Sequence, residues 1–277
     1  LTAVDAIKKM LGHIGLKEKG GRAVESALLS ETLHYSPTGA EALPRCIAES
    51  VSRDGARLYH NTSLEALHVE EGRIHSCELR NSKSGKVETI RCKNVISTIP
   101  VTSLVERIEP RVDDSVIGAC KYLKWLPIVI YGLLVKKERV MDALYTYYRQ
   151  RVFHRIGEPK NAGLKVKPKG HTVLIVEMTC QEGDEKWNGS DAMKARLISD
   201  LEEEGICHAD DIVEINLIRN KHAYPVFALG YEPHYEKLTH CLSGIENLQS
   251  IGRQGAFTFP GMHSAMRMGA VAADNIV

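Results

Sequence analysis

The stretch that most constrains this chain lies near its end. Gly252-Arg253-Gln254-Gly255-Ala256-Phe257-Thr258-Phe259-Pro260-Gly261-Met262-His263 joins a short apolar run to an alanine-rich segment. The run over 248–251 has the length and composition of a buried strand. Ala265, Met266, Met268, Gly269, Ala270, Ala272 and Ala273 predict a helix over 264–276 with small side chains on its faces. Such a helix can approach a neighbouring backbone or a flat ligand closely. Its first turn leaves N–H groups free, and the positive end of its dipole points at whatever sits before it. That suits an anion or an electron-rich ring edge. It equally fits an ordinary glycine loop ahead of a C-terminal helix.

Elsewhere helix and strand signals alternate. Val4, Ile7, Leu11 and Ile14 recur at helical spacing, which predicts a helix over 2–15. A second follows over 23–33, after the Gly20-Gly21 break. Leu43, Ile47 and Val51 share one face of a helix over 40–52 that Asp54-Gly55 stops. Strands are predicted over 57–69, with a break at His60-Asn61-Thr62, and over 73–79 and 86–91 around a turn at Ser82-Lys83-Ser84-Gly85. A buried strand over 94–100 ends at Pro100. Helices over 102–108 and 113–122 precede a long apolar strand, 126–135, and the charged run 136–139 reads as a solvated turn. Strands over 145–148, 173–178 and 212–218 follow, with helices over 190–204 and 232–242. Ser190 caps the first of these helices, and Met193, Leu197 and Leu201 line it. The order is that of an α/β (α+β) protein.

Composition excludes several partners. A net charge of +1 supplies no global basic field for nucleic acid. No apolar run reaches the roughly 20 residues of a membrane-spanning helix. Seven scattered cysteines, without a CxxC pair, read as reduced thiols in a cytoplasmic protein. Twelve histidines fall in neither HExxH nor His-x-His, so no metal site is expected. No Ser-His-Asp or Cys-His set is recognisable by spacing, and no catalytic acid or base can be assigned. One run is unusual: Val152-Phe153-His154-Arg155-Ile156-Gly157-Glu158-Pro159 crowds a His, an Arg and a Glu behind Tyr147-Tyr148. A strand Arg facing a cleft can hold phosphate or carboxylate through its planar fork. The alternative is a surface ion pair between Arg155 and Glu158.

The glycine-rich turn resembles the C-terminal flavin-binding segment of the FAD-dependent amine oxidase, protoporphyrinogen oxidase and UDP-galactopyranose mutase superfamily. Three further runs resemble family signatures: Ser36 to Pro44, Asn94 to Pro100 and Val152 to Pro159. The resemblance implies a partial FAD-binding domain, 35–100 and 248–277, interleaved with a mixed-sheet substrate domain, 1–34 and 101–247. It implies FAD contacts at Leu64, Ser97, Gly252, Arg253, Met262, His263 and Ala265, with Leu64 holding adenine through its backbone. It places Arg155, Arg219 and Tyr224 toward the substrate, with Glu177 in the same sheet. Phe257 and Phe259 stand where mutase-like members carry tyrosines. The function implied is that of an FAD-dependent oxidoreductase acting on a small molecule such as an amine. The alternatives are a mutase-like enzyme acting on a nucleotide sugar, and a flavin-free module like the GDP-dissociation inhibitors. The chain starts at Leu1 and contains no GxGxxG after a strand, so it is expected to be the C-terminal portion of a longer flavoprotein. Faces left uncovered by that missing unit, at Val95-Ile96 and the last helix, are expected to support a homodimer.

Overall fold

A computed structural model describes residues 35–276. The helices expected over 2–15 and 23–33 lie outside the described residues. The chain runs α1 (Ala42–Arg53), β1 (Thr62–Glu70), β2 (Arg73–Asn81), β3 (Val87–Arg91), β4 (Val95–Ser97), α2 (Val101–Val105) and β5 (Ile108–Glu109). It continues through α3 (Asp114–Cys120), β6 (Lys124–Val135), β7 (Tyr145–Tyr147), β8 (Arg155–Gly157), β9 (Thr172–Thr179), α4 (Glu185–Asn188) and α5 (Asp191–Glu203). It ends with β10 (Ile212–Val226), α6 (Glu232–Ser243), β11 (Leu248–Ser250), α7 (Gly252–Gly255) and α8 (Met262–Asp274). The α/β class is as expected.

Among the described residues the strands form three sheets: β3-β2-β1-β5, β10-β6-β9-β8-β7, and the parallel pair β11-β4. Two cores hold them. Under the five-stranded sheet, Val129, Tyr131, Leu133 and Val135 of β6 meet Leu174, Val176 and Met178 of β9. Met193, Leu197 and Leu201 of α5 close over them, and Ser190 Oγ accepts from the Met193 N–H at 3.2 Å, as its capping role requires. Burying those three side chains contributes roughly 1.5–3 kcal/mol each. The second core joins Leu67 and Ile74 to Val101, Leu104, Leu238 and Phe257.

Several boundaries differ from expectation. The helix expected over 102–108 stops at Val105, because Ile108 and Glu109 pair in parallel with Leu67 and His68. The strand expected over 94–100 contracts to three residues, with Ile96 exposed. β10 runs on to Val226 through the polar Arg219-Asn220-Lys221-His222, across an irregularity against β6. It is an outer strand, where polar side chains cost little. The turn after β11 is itself a one-turn helix, α7. The apolar face of α1, at Leu43, Ile47 and Val51, is exposed. Among the described residues, no helix is long and apolar enough to cross a membrane.

Candidate functional site

Directly paired residues share a face of an antiparallel sheet. The face of the five-stranded sheet that carries Val129, Tyr131 and Leu133 is sealed by α5. The opposite face carries the row Tyr147, Arg155, Glu177, Ile130 and Ile218, set by consecutive pairings across β7, β8, β9, β6 and β10. That face is open: Tyr147 is 69% and Ile218 60% exposed. Tyr224, paired with Leu126, continues it toward the glycine turn.

At the centre of the row, Arg155 Nη2 donates to both carboxylate oxygens of Glu177, at 2.5 and 2.7 Å. Nη1 donates to Tyr147 Oη at 3.3 Å, and the guanidinium lies 5.0 Å from the Tyr145 ring centroid. Burial opposes the Arg155 charge, but the buried Glu177 carboxylate outweighs it and raises the guanidinium pKa. His154 is driven the other way: burial, helped by Arg155 and Lys186, lowers its imidazole against the pull of Glu177. Arg155 Nε and His154 Nδ1 are buried and have no hydrogen-bond partner among the described residues.

The surface pair between Arg155 and Glu158 does not form. Glu158 follows β8 and is wholly buried. Its carboxylate accepts from the N–H groups of Val140 and Met141, the nearest at 2.7 Å, from Thr172 Oγ1 at 2.6 Å and from Asn161 Nδ2 at 3.3 Å. It ties the loop between β6 and β7 to β9. Arg219 does not join Arg155 either. It stands one residue beyond Ile218, on the sealed face, where Nε and Nη2 donate to the carbonyls of Trp187 and Asn188 at the end of α4, at 2.5 and 2.9 Å.

Tyr224 meets the glycine turn. Its ring is 5.3 Å from Phe259, and the Arg253 guanidinium sits 4.4 Å from the Phe259 centroid and 5.6 Å from that of Tyr224. Arg253 Nη2 also donates to Pro260 O at 3.1 Å. The turn rests on β4: the Ile251 N–H donates to Ser97 O at 2.9 Å. Gly252 has φ +79°, which glycine adopts freely. A Cβ at Gly255 would lie 2.9 Å from Ser97 O and 3.0 Å from Ser250 Oγ. Gly255→Ala is therefore expected to cost about 1–3 kcal/mol by overpacking. Gly269, in open space within α8, is the control, where alanine is expected to stabilise slightly. Urea unfolding of both variants measures this; an undiminished Gly255→Ala stability would show that the turn is not so tightly seated.

Phe257 anchors the turn, a role that the resemblance, which marked its position, did not indicate. It takes a left-handed φ of +44° yet is almost fully buried. Trp125 stands edge-on 5.0 Å away, with Phe227, Tyr231 and Tyr235 around it. Tyr235 Oη donates to Ala256 O at 2.8 Å, and Gln254 Nε2 to His222 O at 2.7 Å. His222 itself is lowered in pKa by burial and by Lys221. Gly261 precedes α8 without a side-chain cap, and Met262 and His263 are exposed at its first turn. Ala265 follows on the same helix. Ser97 Oγ is buried without a partner. Leu64 lies on β1 of the first sheet, where its carbonyl accepts from Arg107 Nε at 2.7 Å.

No protein-family model and no curated protein matches the chain. Solved structures share its fold. A reduced UDP-galactopyranose mutase superposes with a TM-score of 0.60 at 19% identity, over 78% of this chain and 45% of its own. A protein assigned as a protoporphyrinogen oxidase, from Exiguobacterium sp. 255-15, gives 0.59 at 14% identity, over 86% and 52%. A putrescine oxidase with redesigned cofactor binding gives 0.58 at 15%, over 86% and 53%. The chain spans about half the length of these structures. They are the enzyme types whose fold the sequence resemblance led us to expect.

Proposed function

We propose that the chain forms the flavin- and substrate-facing part of an FAD-dependent oxidoreductase of the amine oxidase and protoporphyrinogen oxidase class. The cofactor side comprises 35–100 and 248–277, and the substrate side 101–247. One observation carries the reading: the open sheet face and the glycine turn converge, with Tyr224 of β10 packed against Phe259 and Arg253 of the turn.

The local chemistry suits FAD. Gly252 leaves the strand end without a side chain, the first turn of α8 offers N–H donors without a side-chain cap, and Ser97 Oγ is a buried hydroxyl with no partner among the described residues. Ser97, Gly252, Arg253, Met262, His263 and Ala265 would hold the cofactor, and Leu64 its adenine end. When bound, FAD supplies acceptance of a hydride from a C–H donor, an amine being the favoured substrate. The chain's own part is to orient and to exclude water. Arg253, braced by Phe259 and Pro260 O, presents fixed positive charge beside the turn. Tyr147, Ile130 and Ile218 are the apolar members of the row, with the neutralised Arg155–Glu177 pair between them. A mutase-like role would need free cations for a diphosphate. Arg155 and Arg219 are each engaged and lie on opposite faces, which favours the oxidoreductase.

The test is the absorbance spectrum of the protein purified from its own source. Bound flavin that an amine bleaches without oxygen is expected. A protein that neither carries nor takes up FAD overturns the reading. Exposed Ile96, Met266 and Val271 keep a homodimer within the proposal, and mass in solution decides that part.

A further inference from the structure

The sequence scatters seven cysteines without a pairing pattern, yet the fold brings two of them together. Cys77 lies on β2, Cys92 directly follows β3, and their Sγ atoms are 3.6 Å apart. The register explains this. Cys77 pairs with Ile90, and the Cys92 N–H donates to His75 O at 3.0 Å, so the thiols stand diagonally across the β2–β3 ladder. Both are partly buried against the core that contains Leu67. The Cys92 thiol also donates to Ile90 O at 3.4 Å, which holds it beside its neighbour.

We propose that Cys77 and Cys92 are a modification site, oxidised by a hydroperoxide to an intramolecular disulfide. The sulfurs must approach to about 2.05 Å. Diagonal partners have Cα atoms about 7–8 Å apart, just beyond the disulfide range, so closure combines side-chain rotation with a shift of the chain end that follows β3 toward β2. Cys92 sulfur, as its thiolate, attacks the peroxide oxygen. The O–O bond breaks, an alkoxide leaves and takes up the thiol proton as an alcohol, and Cys92 becomes a sulfenic acid. Cys77 sulfur then attacks the Cys92 sulfur. The S–O bond breaks, and the hydroxide leaves with the Cys77 proton as water. Two thiols lose two electrons in total, and the peroxide gains them. Burial, with the adjoining thiol, pushes Cys77 up to about 11. It stays protonated at neutral pH, which makes its attack on the Cys92 sulfenic acid slow.

The bond would tie β2 to the connection that leads from β3 into β4. That connection is already gripped by Asn247, whose Nδ2 donates to Lys93 O at 2.9 Å. The staple would thus brace the strand on which the glycine turn rests.

The experiment treats the reduced, folded protein with hydrogen peroxide, alkylates the remaining thiols and maps the peptides by mass spectrometry. A peptide cross-linked through Cys77 and Cys92 is expected. The linked Cys77 and Cys92 peptides together should weigh two hydrogens less than the reduced pair and take up no alkylating agent, and dithiothreitol should reverse both. Cys77→Ser and Cys92→Ser should each abolish the loss, and oxidation should raise Tm in the parent protein only. Cross-links from either residue to another cysteine would overturn the proposal. So would alkylation of both Cys77 and Cys92 under conditions that fully oxidise exposed Cys46. Peptide mapping of the parent protein decides the matter even if a variant folds poorly.

Discussion

Glu158→Ala is expected to cost about 3–5 kcal/mol of folding stability. The substitution strands the buried amide of Met141 and the half-buried amide of Val140, and an unsatisfied buried donor costs about 1–3 kcal/mol. It also removes the acceptor of the Thr172 hydroxyl and leaves a void in a fully buried position. Glu158→Gln should cost less, since one oxygen remains to accept while the new amide N–H groups face donors. Denaturant unfolding of the three proteins gives the comparison. Parent-like stability of Glu158→Ala would mean that water replaces the carboxylate, and that the loop between β6 and β7 is held by other contacts.

The second large effect concerns substrate. In the flavin-loaded protein, Arg155→Ala should lower kcat/KM about 10- to 100-fold with the flavin spectrum unchanged. The route is Nη1, which Glu177 leaves over and which reaches only Tyr147 Oη at 3.3 Å: a hydrogen bond from a charged donor to a neutral acceptor of the substrate is worth about 1.5–3 kcal/mol, at about 1.4 kcal/mol per tenfold. Arg253→Ala should do the reverse and weaken flavin retention first. The ion pair with Glu177 adds a complication, because Arg155→Ala leaves a carboxylate buried and unpaired, which destabilises by itself. The double variant Arg155→Met, Glu177→Leu separates the two. Restored stability with kcat/KM still low would assign Arg155 to substrate handling. Restored kcat/KM would reduce the pair to a structural role.

What was legible in the sequence was whatever periodicity and capping report locally. Ser190 with Met193, Leu197 and Leu201 announces α5, and the glycine turn announces the strand and helix that flank it. What stayed hidden depends on distant partners. Nothing near Glu158 says that Val140, Met141 and Thr172 will surround it, so a surface pair with Arg155 stood open beside the substrate-facing reading. Glu177 becomes the partner instead because β8 lies beside β9, a pairing that local pattern does not encode. Arg219 looked like Arg155 in kind. A single step along β10 turns it to the sealed face. The anchoring role of Phe257 was hidden for a related reason: its left-handed backbone is supported by aromatics from β6, α6 and the segment after β10, which no local motif joins.

The parallel pairing of β4 with β11 has a kinetic meaning. Its two strands bracket residues 98–247, so the hydrogen bonds that seat the glycine turn close a very long loop. Closing a flexible loop costs entropy that grows with its length, and contacts this distant form slowly. A folded five-stranded unit draws the two ends together beforehand. Assembly therefore runs from the inside outward, and the turn beside Ser97 is completed last. Trp125, set against Phe257, is a built-in reporter of that step. On refolding, its fluorescence change should trail the recovery of backbone circular dichroism. Coincident signals would mean that the turn and the sheet form as one.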